Sequence, residues 1–292
     1  MRIAHPVQNE LLNRVYSNLE SGFIQPAAEL PDLSNSLQNY ATLMPTFTSE
    51  HARTHPPGLL IANRLTMELL THFPALSAQL ARPAVAAQCI DLWLLDRPTA
   101  VSAALLIWAI IPLLAAALTI FPAYWVARLI LNGYATKLTA LLVATLPALL
   151  LFAPKPVQLY APLNLLIFYA FYRGLQKWSV RWFLLSGLLF SLATFLSLGN
   201  LALALLLLVY AGLHVASDKM SPHHLITSSP HHLITLLKCA AAFALGTAVL
   251  WLIFWLDGGV PPWAIFQTGL GQHYELVTRL RRYEWWVVWD LL

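Results

Sequence analysis

Residues 100–126 read AVSAALLIWAIIPLLAAALTIFPAYWV, a run without a single charged side chain. The hydrocarbon core of a bilayer is about 30 Å thick, and an α-helix crosses it in roughly 20 residues. Pro112 and Pro122 predict kinks, and neighbouring helices can satisfy the carbonyl groups that such kinks leave unpaired. The run is long enough to span a membrane, so we predict a transmembrane helix here.

Five further apolar runs follow, several of them near the lower length limit for a span. They are Leu138–Phe152, Val157–Tyr172, Trp182–Leu198, Leu201–Val215 and Ala240–Trp255. Tight connectors separate the runs, including the proline-rich Ala153–Pro156. The fold class predicted is therefore an all-α membrane protein, with a multi-span bundle of about six transmembrane helices at residues 99–256.

The overall composition agrees with a membrane protein. Hydrophobic residues make up 59% of the 292 residues and charged residues only 10%, against roughly 25% charged in soluble proteins. The net charge of +4 is spread over gaps between apolar runs, so nothing indicates nucleic acid as a partner. Cys89 and Cys239 are far apart and have no ligand spacing around them, which indicates neither a disulfide framework nor a metal site. No cofactor is indicated.

The basic residues predict the orientation of the bundle, because short cytoplasmic connectors carry an excess of Lys and Arg. If the turn from Arg173 to Arg181 is cytoplasmic, seven basic residues lie on that side with one acidic residue, Asp218. The seven are Arg128, Lys137, Arg173, Lys177, Arg181, Lys219 and Lys238. The predicted location is the cytoplasmic membrane, with nearly all carboxylates on its outer side.

Two polar regions then lie outside the membrane, residues 1–98 and 257–292. Leu59–Leu70 is too short and too charged to span, and its helical apolar spacing predicts a juxtamembrane helix along the membrane surface. Near the C-terminus, Tyr283, Trp285, Trp286 and Trp289 are typical of an aromatic belt at the start of another span. No span precedes residue 98, so the sequence indicates a helix missing before Met1 and another cut off after Trp289.

A short repeat interrupts the basic side of the chain. SPHHLIT at Ser221–Thr227 recurs at Ser229–Thr235. Its four histidines are candidate metal ligands. A recent in-frame duplication in a tolerant loop explains them more simply, and we favour that interpretation.

The most distinctive polar string is EHARTHPPG, Glu50–Gly58. His51 and His55 have the helical spacing of a zinc pair, but Pro56 biases His55 away from helical geometry. Two prolines suit the first turn of a helix instead. The free amides at that helix start, with Arg53 and His55 beside them, favour an anion such as a phosphate. A rigid turn with solvated charges is the alternative.

A resemblance begins at this string. The string places a basic residue, two prolines and a small residue at the start of a juxtamembrane helix ahead of a membrane bundle. This arrangement resembles that of the GT-C fold polyprenyl-phosphate-dependent glycosyltransferases, above all the bacterial aminoarabinose-transferase-like and protein-mannosyltransferase-like members. TLMPTFTSEHARTHPPG, PKPVQLYAPLN from Pro154 and SLATFLSLGNLAL from Ser191 carry the similarity. It covers roughly residues 8 to 290.

The resemblance implies an inverting transfer of a sugar from a polyprenyl-phosphate donor to an acceptor at the outer membrane face. A carboxylate acts as general base, and basic residues hold the donor phosphate. By position the acid is Glu10, with Asp32 and Glu50 as substitutes. The expected phosphate ligands are Arg53, His55 and Lys155, with Arg281, or else Arg279 or Arg282, from the last loop. Gln158 and Tyr160 are expected to line the cavity, and neither a metal nor a cofactor is implied.

Two other classes of function remain open on the sequence. A transporter subunit usually carries ionisable residues inside its spans, and the central runs here contain essentially none. A non-catalytic membrane scaffold or fragment fits the Glu at position 10, where the resembling enzymes usually have Asp. The partners expected on the leading hypothesis are the lipid bilayer, a polyprenyl-phosphate-linked sugar and an unidentified acceptor.

Overall fold

The structure, a computed structural model, describes residues 6–18, 20, 22–87, 92–219 and 230–279. Every regular element within these ranges is a helix, and no β-strand occurs in them. The prediction of an all-α protein is therefore confirmed. The α-helices are α1 (Pro6–Tyr16), α2 (Ile24–Glu29), α3 (Leu33–Gln38), α4 (Tyr40–Leu43), α5 (Glu50–Thr54), α6 (Gly58–Thr71), α7 (Pro74–Ala87), α8 (Leu92–Leu95), α9 (Thr99–Leu118), α10 (Ile120–Ile130), α11 (Gly133–Ala144), α12 (Pro147–Leu151), α13 (Tyr160–Lys177), α14 (Val180–Leu196), α15 (Leu201–Lys219), α16 (Pro230–Gly258) and α17 (Pro262–His273).

Shorter turns join several of these helices. Single 3₁₀ turns occur at Met44–Thr46, Pro156–Leu159 and Leu198–Asn200, and a π-helical turn at Tyr274–Thr278 follows α17. The contacts divide the chain into two compact units. The first unit comprises Met1–Leu113, Ala153–Pro156 and Phe254–Leu292, and the second comprises Leu114–Phe152 and Val157–Ile253.

The first unit contains short helices around a buried centre. Its most deeply buried side chains include Ile24, Tyr40, Met44, Leu59, Leu60 and Ile265. Helix α17 packs against α4 and α5, and α2 packs against α6. The two polar regions predicted to lie outside the membrane, 1–98 and 257–292, thus contribute to one unit, to which the connector at Ala153–Pro156 also belongs.

Helix α6 is the element that the sequence placed along a membrane surface. It runs from Gly58 to Thr71, close to the predicted bounds. Its apolar residues Leu59 and Leu60 are fully buried within the first unit, while Arg64 donates from Nη1 to the carbonyl oxygen of Leu30 at 3.0 Å. The helix is therefore confirmed, but most of its apolar face packs on protein, and Leu65 and Leu69 are the leucines left exposed.

The second unit is built from longer apolar helices. The buried residues of its core are Ile167, Phe171, Leu175, Phe183, Phe190, Ala193, Leu207, Cys239 and Ala242. Helices α13 and α14 form an antiparallel pair joined at Trp178–Ser179, where Trp178 takes the left-handed conformation at φ 46°. Helices α14 and α16 approach closely at Gly187 and Gly246, since a Cβ atom at Gly187 would lie 2.2 Å from the carbonyl oxygen of Phe243.

Two helical stretches of the described residues are long and apolar enough to cross a membrane: Thr99–Ile130, which comprises α9 and α10, and Ile234–Gly258, the larger part of α16. The predicted number of about six is therefore too high by the criteria of length and composition. Val180–Leu196 and Leu198–His214 are apolar but shorter. The predicted run Leu138–Phe152 is divided into α11 and α12, because Pro147 lacks an amide hydrogen and disfavours helical geometry in the residue before it.

Candidate functional site

Helix α5 carries the first half of the distinctive string and ends where the sequence predicted. Its N-cap is Ser49, whose Oγ accepts from the amide of Ala52 at 3.5 Å. His55 is extended, with φ −106° and ψ 149°, because Pro56 excludes helical geometry in the residue before it. Pro57 then serves as the N-cap of α6. The prediction that Pro56 would take His55 out of the helix is confirmed.

His55 is half-buried in the first unit and is held there by several contacts. Its Nδ1 lies 2.8 Å from the carbonyl oxygen of His51, and its ring packs edge-on against Phe23 and His51 at centroid distances of 5.7 Å. The Tyr40 hydroxyl donates to the His55 carbonyl at 3.0 Å. Because a carbonyl oxygen only accepts, Nδ1 carries the proton and Nε2 is an acceptor in the neutral ring.

The charge of His55 follows from this environment. Burial, reinforced by the neighbouring His51 and by His273 at the end of α17, lowers the pKa of His55 to about 4. The imidazole is therefore neutral at pH 7 and offers an acceptor at Nε2. A neutral His55 adds no positive charge for a phosphate, and its role as a phosphate ligand stays a prediction.

The backbone orients the Arg53 side chain. Its Nε donates to the carbonyl oxygen of Phe47 at 2.6 Å, and the side chain is half-buried. No other partner for its guanidinium occurs among the residues that the structure describes. The two terminal nitrogens of Arg53 thus remain available to an anion.

Lys155 forms an ion pair with Glu20. Just before it on the connector, the carbonyl oxygen of Ala153 accepts from Nη1 of Arg14 at 3.1 Å. The hydrogen bond from Lys155 holds the pKa of Glu20 below its usual value. Glu20 was not among the residues predicted from the sequence, because nothing local marks a carboxylate whose partner lies so far along the chain.

His51 connects α5 to this ion pair. Its ring donates to the backbone carbonyl of Glu20. Burial lowers the pKa of His51, and the charge of Lys155 lowers it further. Arg14, Glu20, His51 and Lys155 therefore form one group of side chains in the first unit, which we call the Lys155 cluster.

The three carboxylates predicted as catalytic have different environments. Glu10 is exposed and pairs with Arg14 one helical turn away at 3.0 Å. Asp32 is the N-cap of α3, and its Oδ2 accepts from the amide of Asn35 at 2.7 Å. Glu50 is exposed on the first turn of α5, next to His51. Within the described part of the chain, the Glu50 carboxylate has no hydrogen bond or ion pair, so it is the predicted base left open to a ligand.

Gln158 and Tyr160, predicted to line the same cavity, belong to the second unit. Gln158 is buried and donates from Nε2 to the carbonyl oxygen of Ala148 at 3.2 Å. Tyr160 is hydrogen-bonded to Ser197. Arg281 lies outside the described residues, as do Tyr283, Trp285, Trp286 and Trp289. In the ranges that are described, no group of three or more His, Cys, Asp or Glu side chains is arranged to hold a metal ion.

The cluster and its neighbours combine fixed cations with one open carboxylate. Lys155 and Arg14 supply positive charge within the cluster, where Lys155 is held by Glu20 and Arg14 by the Ala153 carbonyl. Arg53, on the same helix as His51, is held separately by the Phe47 carbonyl. Such a set suits a phosphate or phosphodiester group. A comparison of the chain with protein-family models, with curated proteins and with solved structures gives no match.

Proposed function

We propose that the protein is a multi-span membrane glycosyltransferase of the bacterial cytoplasmic membrane. In this proposal it transfers a sugar from a polyprenyl-phosphate donor to an acceptor, and its first unit faces the outside. The observation that carries the proposal is the Lys155 cluster, where a lysine, an arginine and a carboxylate meet beside the His-Pro-Pro-Gly string of the sequence.

The exposure of the apolar helices supports a lipid environment. Only 33% of the most apolar part of Thr99–Ile130 and 22% of that of Ile234–Gly258 is buried. The core helix of a soluble protein would be mostly buried. Helix α15 exposes Leu205, Leu206 and Leu208 by about two thirds each. Contiguous apolar surface of this extent needs a nonpolar surrounding, and the asymmetric basic residues favour the orientation proposed.

The donor phosphate is assigned to Lys155, with Arg14 and Arg53 as further cations. An arriving phosphate group replaces the Glu20 carboxylate at Lys155, because both are anions that accept from the same ammonium. The lowered pKa of Glu20 keeps that carboxylate charged, which makes it a counter-ion for Lys155. A carboxyl group with a lowered pKa is a poor proton acceptor, so Glu20 is not assigned as the base.

The base is assigned to Glu50. The acceptor hydroxyl oxygen attacks the anomeric carbon and forms the new glycosidic bond, while the bond from that carbon to the phosphate oxygen breaks. The electron pair of the broken bond leaves with the polyprenyl phosphate, and Lys155 stabilises its charge. The hydroxyl proton passes to the Glu50 carboxylate.

The first experiment measures binding of a polyprenyl monophosphate to the full chain in lipid nanodiscs. Lys155→Ala is expected to weaken binding by about ten- to a hundredfold, the value of a hydrogen bond between charged groups. Lys137→Ala is the matched control, since Lys137 is an exposed lysine of the second unit. Equal affinity of the Lys155→Ala variant and the wild type would exclude the proposed phosphate site.

The second experiment separates an enzyme from a non-catalytic scaffold. The structural roles of Asp32 and Glu10 favour a scaffold that binds lipid phosphate without turning it over. With a radiolabelled polyprenyl-phosphate sugar, the wild type is expected to transfer label, and Glu50→Gln is expected to abolish transfer while donor binding persists. Binding without transfer in the wild type would instead establish the scaffold.

A further inference from the structure

A groove of about 460 Å³ lies in the first unit between α2, α3 and the 3₁₀ turn at Met44–Thr46. Its wall includes a carboxylate and several amide and hydroxyl side chains, namely Glu29, Asn35, Ser36, Asn39, Thr42 and Thr46. The volume is within the range of small-molecule sites. None of the residues assigned above to phosphate binding or to catalysis lines this groove.

The carboxylate of the groove is held in one orientation. Gln25 donates from Nε2 to Oε1 of Glu29 at 2.8 Å, and Trp93 donates from Nε1 to the same oxygen at 3.2 Å. Gln25 is itself fixed, because its Oε1 accepts from Nδ2 of Asn18 at 2.6 Å. Both donors engage one oxygen, so Oε2 of Glu29 remains as a fixed acceptor for a ligand.

The two asparagines of the groove are also fixed, by each other and by the cap of α3. Nδ2 of Asn39 donates to the backbone oxygen of Asn35 at 3.0 Å and to Oδ1 of Asn35 at 3.2 Å. The backbone amide of Asn35 donates to Oδ2 of Asp32 at 2.7 Å. These bonds leave Nδ2 of Asn35 as a donor and Oδ1 of Asn39 as an acceptor.

The hydroxyl groups complete a mixed set. Thr42 donates to the carbonyl oxygen of Asn39 and Thr46 to that of Leu43, each at 2.7 Å, so both hydroxyls act as acceptors toward a ligand. Pro26, Pro31 and Phe47 also line the groove, and of these Pro31 is exposed.

The charge of the groove restricts the ligand. Among the described residues, Glu29 is the one ionisable side chain that lines it, while Arg53 and Arg64 bind the backbone carbonyls of the lining residues Phe47 and Leu30 from outside the lining. A carboxylate in the wall disfavours phosphate, sulfate and uronic acid groups. Hydroxyl groups both donate and accept, and they therefore match a wall that offers both kinds of partner.

We infer that this groove binds a neutral, hydroxyl-rich ligand, namely an uncharged oligosaccharide. The fixed Glu29 and Asn39 accept from sugar hydroxyls, Asn35 donates to them, and the exposed Pro31 packs against the C–H face of a ring. The inference goes beyond the proposed function and is independent of it, because binding at this groove does not require the Lys155 cluster.

The test uses the full chain in lipid nanodiscs without glycoside detergents, whose sugar headgroups would compete. Maltotriose, cellotriose, mannotriose and chitotriose are titrated by saturation-transfer NMR and calorimetry. We expect saturable binding of at least one neutral trisaccharide. Its 6-phosphate or uronic acid counterpart is expected to bind more weakly, because of Glu29.

Matched variants place the binding in the groove. Asn39→Ala removes a hydrogen-bond acceptor of the groove and is expected to weaken binding about three- to tenfold, the value of one hydrogen bond. Its control is Gln38→Ala, because Gln38 is an exposed residue of α3 that does not line the groove. Thr42→Trp fills the groove, with the exposed Thr48→Trp as its control. Thr42→Trp is expected to abolish binding.

Two results would overturn the inference. One is the absence of saturable binding of every trisaccharide to the folded wild type. The other is wild-type affinity in both Asn39→Ala and Thr42→Trp, which would place the sugar elsewhere. Hydrogen exchange of α3 and α4 confirms that each variant keeps the fold of the groove, and unchanged polyprenyl phosphate binding shows that the Lys155 cluster is intact.

Discussion

Different kinds of contact stabilise the interior of each of the two units. In the first unit, long-range polar bonds join short helices, as in the bonds from Arg14 to Ala153, from Arg64 to Leu30 and from Tyr40 to His55. In the second unit, long apolar helices meet at glycines and aromatic rings. Phe171, for example, packs edge-on against Phe183 and Phe243.

This difference predicts different weaknesses. Polar contacts depend on the charge state of their members, so the first unit should respond to pH. Close helix packing depends on side-chain volume, so the second unit should respond to an added methyl group. Hydrogen exchange measured peptide by peptide can follow the two units separately in one sample.

Acidification is expected to have the largest effect, and it should act on the first unit. Burial lowers the pKa of His55 from 6.5 to about 4. The unfolded chain therefore binds a proton at His55 below pH 6.5, whereas the folded chain does so only near pH 4. The free energy of unfolding of the first unit should fall by roughly 3 kcal/mol between these two pH values, as measured by hydrogen exchange of α4 to α6.

A variant isolates the contribution of His55. His55→Asn keeps a donor toward the carbonyl oxygen of His51 and removes the titrating ring. Most of the fall in the free energy of unfolding between pH 6.5 and 4 should therefore disappear. His51, whose pKa is also lowered, accounts for what remains. The Glu20–Lys155 ion pair weakens at still lower pH. An unchanged slope in His55→Asn would show that another group controls the acid sensitivity.

A methyl group at Gly187 is expected to have the next largest effect, and it should act on the second unit. A Cβ atom there would lie 2.2 Å from the carbonyl oxygen of Phe243 and 3.0 Å from the amide nitrogen of Thr247, both in the backbone of α16. Gly187→Ala should therefore destabilise the second unit by about 1–3 kcal/mol, measured as a lower midpoint of thermal unfolding.

Gly212→Ala is the matched control on α15. An added Cβ there meets nothing within 4 Å, and alanine favours a helix over glycine by about 1 kcal/mol. Gly212→Ala should leave the midpoint unchanged or raise it. If Gly187→Ala behaves like Gly212→Ala, helices α14 and α16 do not pack as closely as the structure has them.

The N-cap of α3 gives a smaller effect in the first unit. Asp32→Ala removes the acceptor for the amide of Asn35 and should cost about 1 kcal/mol of unfolding free energy. Asp32→Asn keeps a good N-cap and should lower the free energy of unfolding by a few tenths of a kcal/mol at most. The same pair tests function, because full glycosyl transfer in Asp32→Asn would exclude Asp32 as the general base.

Local signals predicted much of the first unit. Pro56 predicted that His55 is not helical, and the spacing of apolar residues after Gly58 predicted α6 almost to its ends. Glu20 could not be found in this way, because its partner Lys155 is supplied by a remote connector. The lowered pKa of His55 was equally hidden, since burial is a property of the packed unit.

The number of spans shows the limit of apolar composition as a guide. Leu138–Phe152 has the composition of a span, but Pro147 divides it into α11 and α12. Val180–Leu196 is apolar in its overall composition yet short. Composition thus identified the apolar segments of the second unit. Helix length decides whether a segment can cross a bilayer, and that length depended on single residues that end helices.

The smallest effect is expected at Glu10, the residue to which the family resemblance assigned catalysis. Its ion pair with Arg14 is exposed and lies within one helix, so Glu10→Gln should change stability by less than about 0.5 kcal/mol. Arg14→Ala should cost more, because Arg14 also binds the carbonyl oxygen of Ala153. If Glu10→Gln abolished sugar transfer with stability unchanged, Glu10 and not Glu50 would be the base, and the base would lie on α1.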